Sequence, residues 1–236
     1  MTAGTVGTGG TGGTGGTVDL DGARAALRRG TAVVLPNPAP LTHVVAGTDP
    51  RAVNTAKGRP AEQAVALWVH DPGTLARLGA ALDLSPALAA VARRLLAEER
   101  VTLLLPLLPL FPGTARPDWL APATRDGWTL LFGARWEPLL PLLADHPVLY
   151  VSSANRTGHP PAATAAGARA MFPAAVPVLG PLSPDDHDGP TDDRAATTTL
   201  RLHPDGRLDL HRPGAQDRPY PGPEAYLAHV RSTFLP

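Results

Sequence analysis

Short runs of β-branched and apolar residues alternate with helix-forming segments from residue 18 almost to the C-terminus. No other feature limits the fold as much, because alternating strands and helices bury their apolar sides together as a sheet covered by helices. Segments 31–35, 41–46, 65–69, 101–105, 128–132, 148–152 and 176–179 read as strands. Helices are expected from Asp19 or Asp21 through Arg29, ended by Gly30, and over 49–56, 72–80, 86–99, 138–144, 164–171 and 224–234. The 86–99 segment carries Leu88, Val91, Leu95 and Leu96 at helical spacing. Near the end, 197–202 and 207–211 form a strand pair across Pro204-Asp205-Gly206, a good turn sequence. The expectation is a mixed α/β sheet flanked by helices, without internal repeats.

The 236 residues suffice for one sizeable domain with a small appendage. Residues 1–17, a Gly/Thr repeat, bury nothing that would offset their ordering entropy and are expected to be disordered. The domain is expected over 18–215, with a loop and helix over 216–236. Lys plus Arg equals Asp plus Glu, 21 against 21, so the overall basic excess usual for duplex-binding proteins is missing. There are no cysteines, which excludes thiolate nucleophiles and Cys-ligated zinc. The N-terminus lacks a secretory pattern. The most apolar run, 103–111, is broken by Pro106 and Pro109 and is shorter than the ~20 residues a spanning helix needs. A cytoplasmic protein with no membrane partner is expected.

Three short motifs have the composition of an anion site. In Lys57-Gly58-Arg59-Pro60 the two cations are two apart, so an extended stretch would aim both from one side. A glycine between them allows close backbone approach, and a point charge beside a planar fork suits polyphosphate. Alone, the tetrapeptide is more often a solvated turn. Ser152-Ser153-Ala154-Asn155 comes after an apolar strand and precedes Gly158, the setting in which α/β sheets place ligands, although the same residues favour caps and Asx turns. Arg212-Pro213-Gly214 would aim an arginine in a set direction, and is by itself an ordinary turn. No Ser-His-Asp order or nucleophile elbow is present. The acidic run Asp185-Asp186-His187-Asp188, with Asp192 and Asp193, lacks EF-hand spacing and reads as a solvated loop rather than a metal site.

Taken together and in order, these motifs resemble the YrdC/YwlC family. Val101-Thr102-Leu103-Leu104-Leu105-Pro106 is similar to that family's Val/Leu-Thr-Leu-Ile-Leu-Pro strand. Residues 153–161 (SANRTGHPP) are similar to its Ser-Ala-Asn-x-Ser-Gly-x-Pro segment. The resemblance covers about residues 20 to 215. It implies a twisted, open mixed sheet flanked by helices, with a basic cleft. It also implies synthesis of L-threonylcarbamoyladenylate and pyrophosphate from L-threonine, bicarbonate and ATP with Mg²⁺, the product serving tRNA modification. By position, Lys57, Arg59, Thr102, Ser153, Asn155 and Arg212 would hold the nucleotide and its phosphates. Asn37, His43, Arg135 and Thr197 would fall in the substrate pocket. No residue is assigned as a nucleophile or metal ligand.

The chain departs from the family at its amino-acid side. Where the family has Pro-Thr-Asp/Glu-Thr-x-Tyr/Phe-Gly-Leu, residues 36–43 read PNPAPLTH, which keeps only the leading proline. The family's Val-Arg-x-Pro element is replaced by residues 132–138, in which Arg135 is displaced. Ala196-Thr197-Thr198-Thr199-Leu200 lacks the aspartate of Ser-Thr-Val-Val-Asp. His43 falls in this altered stretch, as an acid/base group or simply a buried histidine. Nucleotide binding with an altered amine is therefore expected, and carbamoyl transfer to another acceptor is an alternative. RNA binding, involving tRNA or its modification proteins, and a non-catalytic regulatory role remain further alternatives.

Overall fold

The computed structural model describes residues 17–110, 116–182 and 193–235. The Gly/Thr segment up to residue 16 and the acidic run up to Asp192 lie outside the described residues. Thr17 joins Val18 in the first strand.

In chain order the strands are β1 (Thr17–Val18), β2 (Val33–Leu35), β3 (Val44–Gly47), β4 (Ala66–Trp68), β5 (Thr102–Pro106), β6 (Thr124–Arg125), β7 (Trp128–Phe132), β8 (Tyr150–Ser153), β9 (Val178–Leu179), β10 (Thr199–Leu202) and β11 (Leu208–Arg212). The helices are α1 (Leu20–Arg28), α2 (Pro50–Ala56), α3 (Pro72–Gly79), α4 (Pro86–Arg94), α5 (Leu140–Ala144), α6 (Ala165–Met171) and α7 (Pro223–Phe234). Asp19, Asp49, Asp71, Ser85 and Thr164 cap α1, α2, α3, α4 and α6 by accepting from backbone N–H groups in the first turn. Capping and proline at the first helical positions explain why most helix starts are readable in the sequence. α4 continues in a π-helical turn, Leu95–Glu99.

The sheet runs β1-β9-β2-β3-β8-β4-β7-β5-β10-β11, with β6 paired to β7. Its centre is mixed: β8 lies antiparallel to both β3 and β4, while β4 and β7 are parallel. Successive residues of a strand serve opposite sides. Val34, Val45 and Leu67 belong to one apolar cluster, with α2, α4 and α7, whereas Val33, Leu35, Val44, Ala46, Ala66 and Trp68 belong to the other, with α1 and α5. Burial on both sides makes these strands continuous apolar runs rather than alternating ones. On α7, Tyr226, Val230 and Phe234 enter the same cluster as Leu200 and Leu202 of β10. No helix among the described residues is long and apolar enough to cross a membrane.

Beyond the end of β4, His70 and His146 are buried, and neither Nε2 has a hydrogen-bond partner among the described residues. Burial is the main cause that lowers His70 to about 4. The Arg135 charge acts in the same direction and Asp71 opposes it. Burial also lowers His146. A histidine held below its ordinary value costs nothing where it is neutral in both states, near pH 7, and destabilises progressively as acid charges the unfolded chain first. Unfolding free energy is therefore expected to fall by about 3 kcal/mol between pH 6.5 and about 4 from His70 alone. Chemical denaturation across that range should lose much of its pH dependence in His70→Leu. An unchanged slope would refute the assignment.

Candidate functional site

α2 ends where its sequence turns from Ala56 to Lys57 and Gly58. Gly58 takes φ +65°, the left-handed conformation that closes helices at least cost when no Cβ is present. Its N–H donates to the Thr55 carbonyl at 3.0 Å, and the Arg59 N–H to the Asn54 carbonyl at 3.1 Å. Asn54, fully buried within α2, shapes the turn at the helix end. Its Nδ2 donates to the carbonyls of Ala61 and Gln63, each at 2.8 Å, and its Oδ1 accepts from Arg59 Nε at 2.5 Å. One amide thus sets both the path of the turn and the direction of the guanidinium. The sequence alone does not reveal Asn54, because a lone amide inside a short helix carries no periodic signal.

The second segment arrives from β8, whose end opens into the Ser-Ala-Asn loop. Lys57 Nζ donates to the Ser153 carbonyl and, at 2.8 Å, to Asn155 Oδ1. Ser153 Oγ donates to the same Oδ1 at 2.6 Å. Asn155 Nδ2 donates to the His159 carbonyl at 2.8 Å, which fixes the amide's orientation. Residues far apart in sequence are thereby clasped together. β10 and β11 bring the third segment. Thr102 and Thr197 share a buried hydroxyl–hydroxyl bond of 2.6 Å, and Arg212 Nη2 donates to the Thr197 carbonyl at 3.3 Å.

These segments border one cleft of about 250 Å³. Arg59, Arg212, Thr102, Ser153, Asn37 and Thr197 all line it, over an apolar floor that includes Val44, Ala66, Leu130, Phe132 and Val151. The floor is made by the sheet side shared with α1 and α5. Lys57 and Asn155 stand behind Ser153 as the clasp. His43 is buried nearby. Its backbone is stitched to the loop, with N donating to the Ala162 carbonyl and O accepting from Ala154 N, each at 2.9 Å. Arg135 is not brought to the cleft. Its Nη2 donates to the Val69 carbonyl at 3.3 Å, in the neighbourhood of His70.

The electrostatics are one-sided. Lys57 is 4% exposed and lowered to about 7, first by burial and then by Arg59 and Arg212. Burial also lowers Arg59 and Arg212, although Arg212 is exposed at the mouth. Arg59 Nη2 is buried without a hydrogen-bond partner among the described residues. No carboxylate is among the residues lining the cleft, and none forms a salt bridge with these three cations among the described residues. Among the described residues no group of three or more His, Asp or Glu could hold a metal ion.

No protein-family model matches the chain, and no curated protein matches it. Solved structures do share its fold. P. abyssi Sua5 complexed with L-threonine is 20% identical with a TM-score of 0.61, over 83% of this chain and 54% of that one. Full-length HypF in its phosphate- and nucleotide-bound form is 16% identical with a TM-score of 0.59, over 86% of this chain and 30% of HypF. E. coli YciO is 13% identical with a TM-score of 0.55, over 83% of this chain and 88% of YciO. The chain thus spans about half the length of the Sua5 it matches. The twisted mixed sheet with flanking helices is the YrdC-like fold expected from the motifs.

Proposed function

We propose that the cleft binds a nucleoside triphosphate, ATP in the first instance, and joins it to a carbamate formed from bicarbonate and a small amine. The observation that carries this reading is the cluster of Lys57, Arg59 and Arg212, which no carboxylate among the described residues neutralises. Buried like charges repel and lose hydration, which destabilises the folded chain unless an anion compensates. A group perturbed by burial and like charge beside a cleft is a functional-site candidate.

The chemistry suits these groups. The neutral amine adds to carbon dioxide derived from bicarbonate, forming a carbamate with loss of a proton. A carbamate oxygen then attacks the α-phosphorus of ATP, and the bond from that phosphorus to the β-phosphate bridge breaks, releasing pyrophosphate. No protein nucleophile is needed. The demands are in-line positioning and stabilisation of phosphate charge, which Arg59, Arg212 and the Lys57–Ser153–Asn155 clasp would supply. Neutralisation in this reading falls to the three cations, beside Mg²⁺ that would enter with the triphosphate. The amine is expected to differ from threonine, because residues 36–43 carry neither the threonines nor the aromatic at the positions where the family motif has them. A site that has lost its polar partners for a substrate rejects it by orders of magnitude.

The deciding experiment is pyrophosphate release with ATP, bicarbonate, added Mg²⁺ and each standard amino acid in turn, beside calorimetric titration with ATP. Bicarbonate-dependent release with one amine supports the reaction. ATP binding with no release for any amine rejects the reaction but keeps the site, and absence of ATP binding rejects both.

Lys57 adds a pH signature. Below about 7 its burial destabilises the folded chain, and this cost fades as pH rises toward the ordinary lysine value. A bound polyanion favours the charged form. ATP affinity is therefore expected to decline as pH rises through about 7, with proton uptake on binding above that pH. Titrations in buffers of different ionisation enthalpy measure the uptake, and Lys57→Met should abolish it. Equal uptake in wild type and variant would remove Lys57 from the site.

A further inference from the structure

A fourth cation stands beside the clasp, at a position the family motif leaves unspecified. Arg156 is exposed. Its guanidinium has no hydrogen-bond or carboxylate partner among the described residues, and it lies over the peptide unit that joins Lys57 to Arg59. A Cβ built on Gly58 would meet Arg156 Nη2 at 3.4 Å and Nε at 3.8 Å. Those are ordinary contact distances, so the guanidinium packs beside Gly58, while the glycine itself is required by the left-handed helix ending.

The loop that carries Arg156 is held firmly. The Arg156 N–H points to Met171 Sδ at 3.3 Å, its carbonyl accepts from His159 N at 3.0 Å and Asn155 Nδ2 at 3.2 Å, and Thr157 N donates to the Lys57 carbonyl at 3.2 Å. The 57–59 turn and the 153–159 loop are thus one tied unit. An exposed arginine with no partner usually sweeps a wide volume. Here the backbone on both sides is fixed and the guanidinium lies beside the 57–59 turn, which places its charge next to those two cations.

We propose that Arg156 is a phosphate-binding residue that takes the outer end of a polyphosphate chain whose inner end occupies the cleft. This rests on the nucleotide reading above and deepens it. A monophosphate lacks the outer phosphates that Arg156 would take, so the residue would act on the triphosphate and not on AMP. Its planar fork suits bidentate capture of a terminal phosphate.

The test compares ATP, AMP and inorganic tripolyphosphate by calorimetry on the full chain. Arg156→Ala should reduce the ratio of ATP to AMP affinity about tenfold and weaken tripolyphosphate similarly, and Arg156→Lys should restore part of the loss. Thermal melting of each variant separates this from unfolding. An unchanged ATP-to-AMP ratio in Arg156→Ala, with ATP still bound, overturns this inference alone. If wild type binds neither ATP nor tripolyphosphate, the nucleotide reading fails and this inference with it.

Discussion

Gly214→Ala is expected to destabilise the chain by about 3 kcal/mol or more, a large share of the ~5–15 kcal/mol that holds a typical domain together. A Cβ on Gly214 would lie 2.3 Å from Thr198 N, 2.4 Å from the Thr197 carbonyl carbon and 2.5 Å from Ala196 O. All three are backbone atoms, so no side chain can swing aside. The approach is fixed from both directions: Ala215 N donates to the Ala196 carbonyl at 2.8 Å, and Gly214 N to Asp217 Oδ1 at 2.6 Å. Relief requires parting the exit of β11 from the entry of β10, which carries Thr197 and Arg212 with it. Gly79→Ala is the control, because nothing lies within 4 Å of its position and it sits on exposed helix. That change should be neutral or slightly stabilising. Urea denaturation of both variants measures the contrast, and equal midpoints would show that the close backbone approach costs nothing.

Arg59→Met should reduce ATP affinity by roughly 30- to 150-fold, the equivalent of about 2–3 kcal/mol for losing charge-assisted bonds to phosphate. Among the three cations, Arg59 both lines the cleft and is aimed by a buried amide. The change should also relieve Lys57, whose ammonium Arg59 depresses. Its titration is then expected to move upward, so proton uptake on ATP binding should begin at higher pH than in wild type. Calorimetry reads both effects. Undiminished affinity would contradict the placement of phosphate at Arg59. A drop in affinity with an unmoved proton-uptake profile would refute the coupling between the two cations.

Much of the core is legible in the sequence because its strands are buried on both sides. The 128–132 run matches Trp128–Phe132 at both ends, and 65–69 contains Ala66–Trp68. The site motifs are legible for a different reason. Charged and amide residues abut glycine or proline at element ends in Lys57-Gly58 and Arg212-Pro213-Gly214, and Asn155 stands just past a strand end, where chains expose polar groups. Strand order is not legible, since nothing local says that β8 inserts between β3 and β4. The 3₁₀ segment Asp118–Ala123 and β6 escape a sequence reading because a proline-containing stretch of that length has no period. Arg156 looks like any exposed arginine in a polar loop, and only the contact with Gly58 distinguishes it.

The Lys57–Ser153 bond joins positions 96 residues apart. On a ribosome, the first half of the polypeptide therefore emerges with Lys57 and Arg59 but without the wall that organises them. Nascent chains released early would carry charge yet no pocket. Thr197 and Arg212 come later still, so on the proposed reading nucleotide capture would wait for β10 and β11, making a labelled triphosphate a sensor of finished folding.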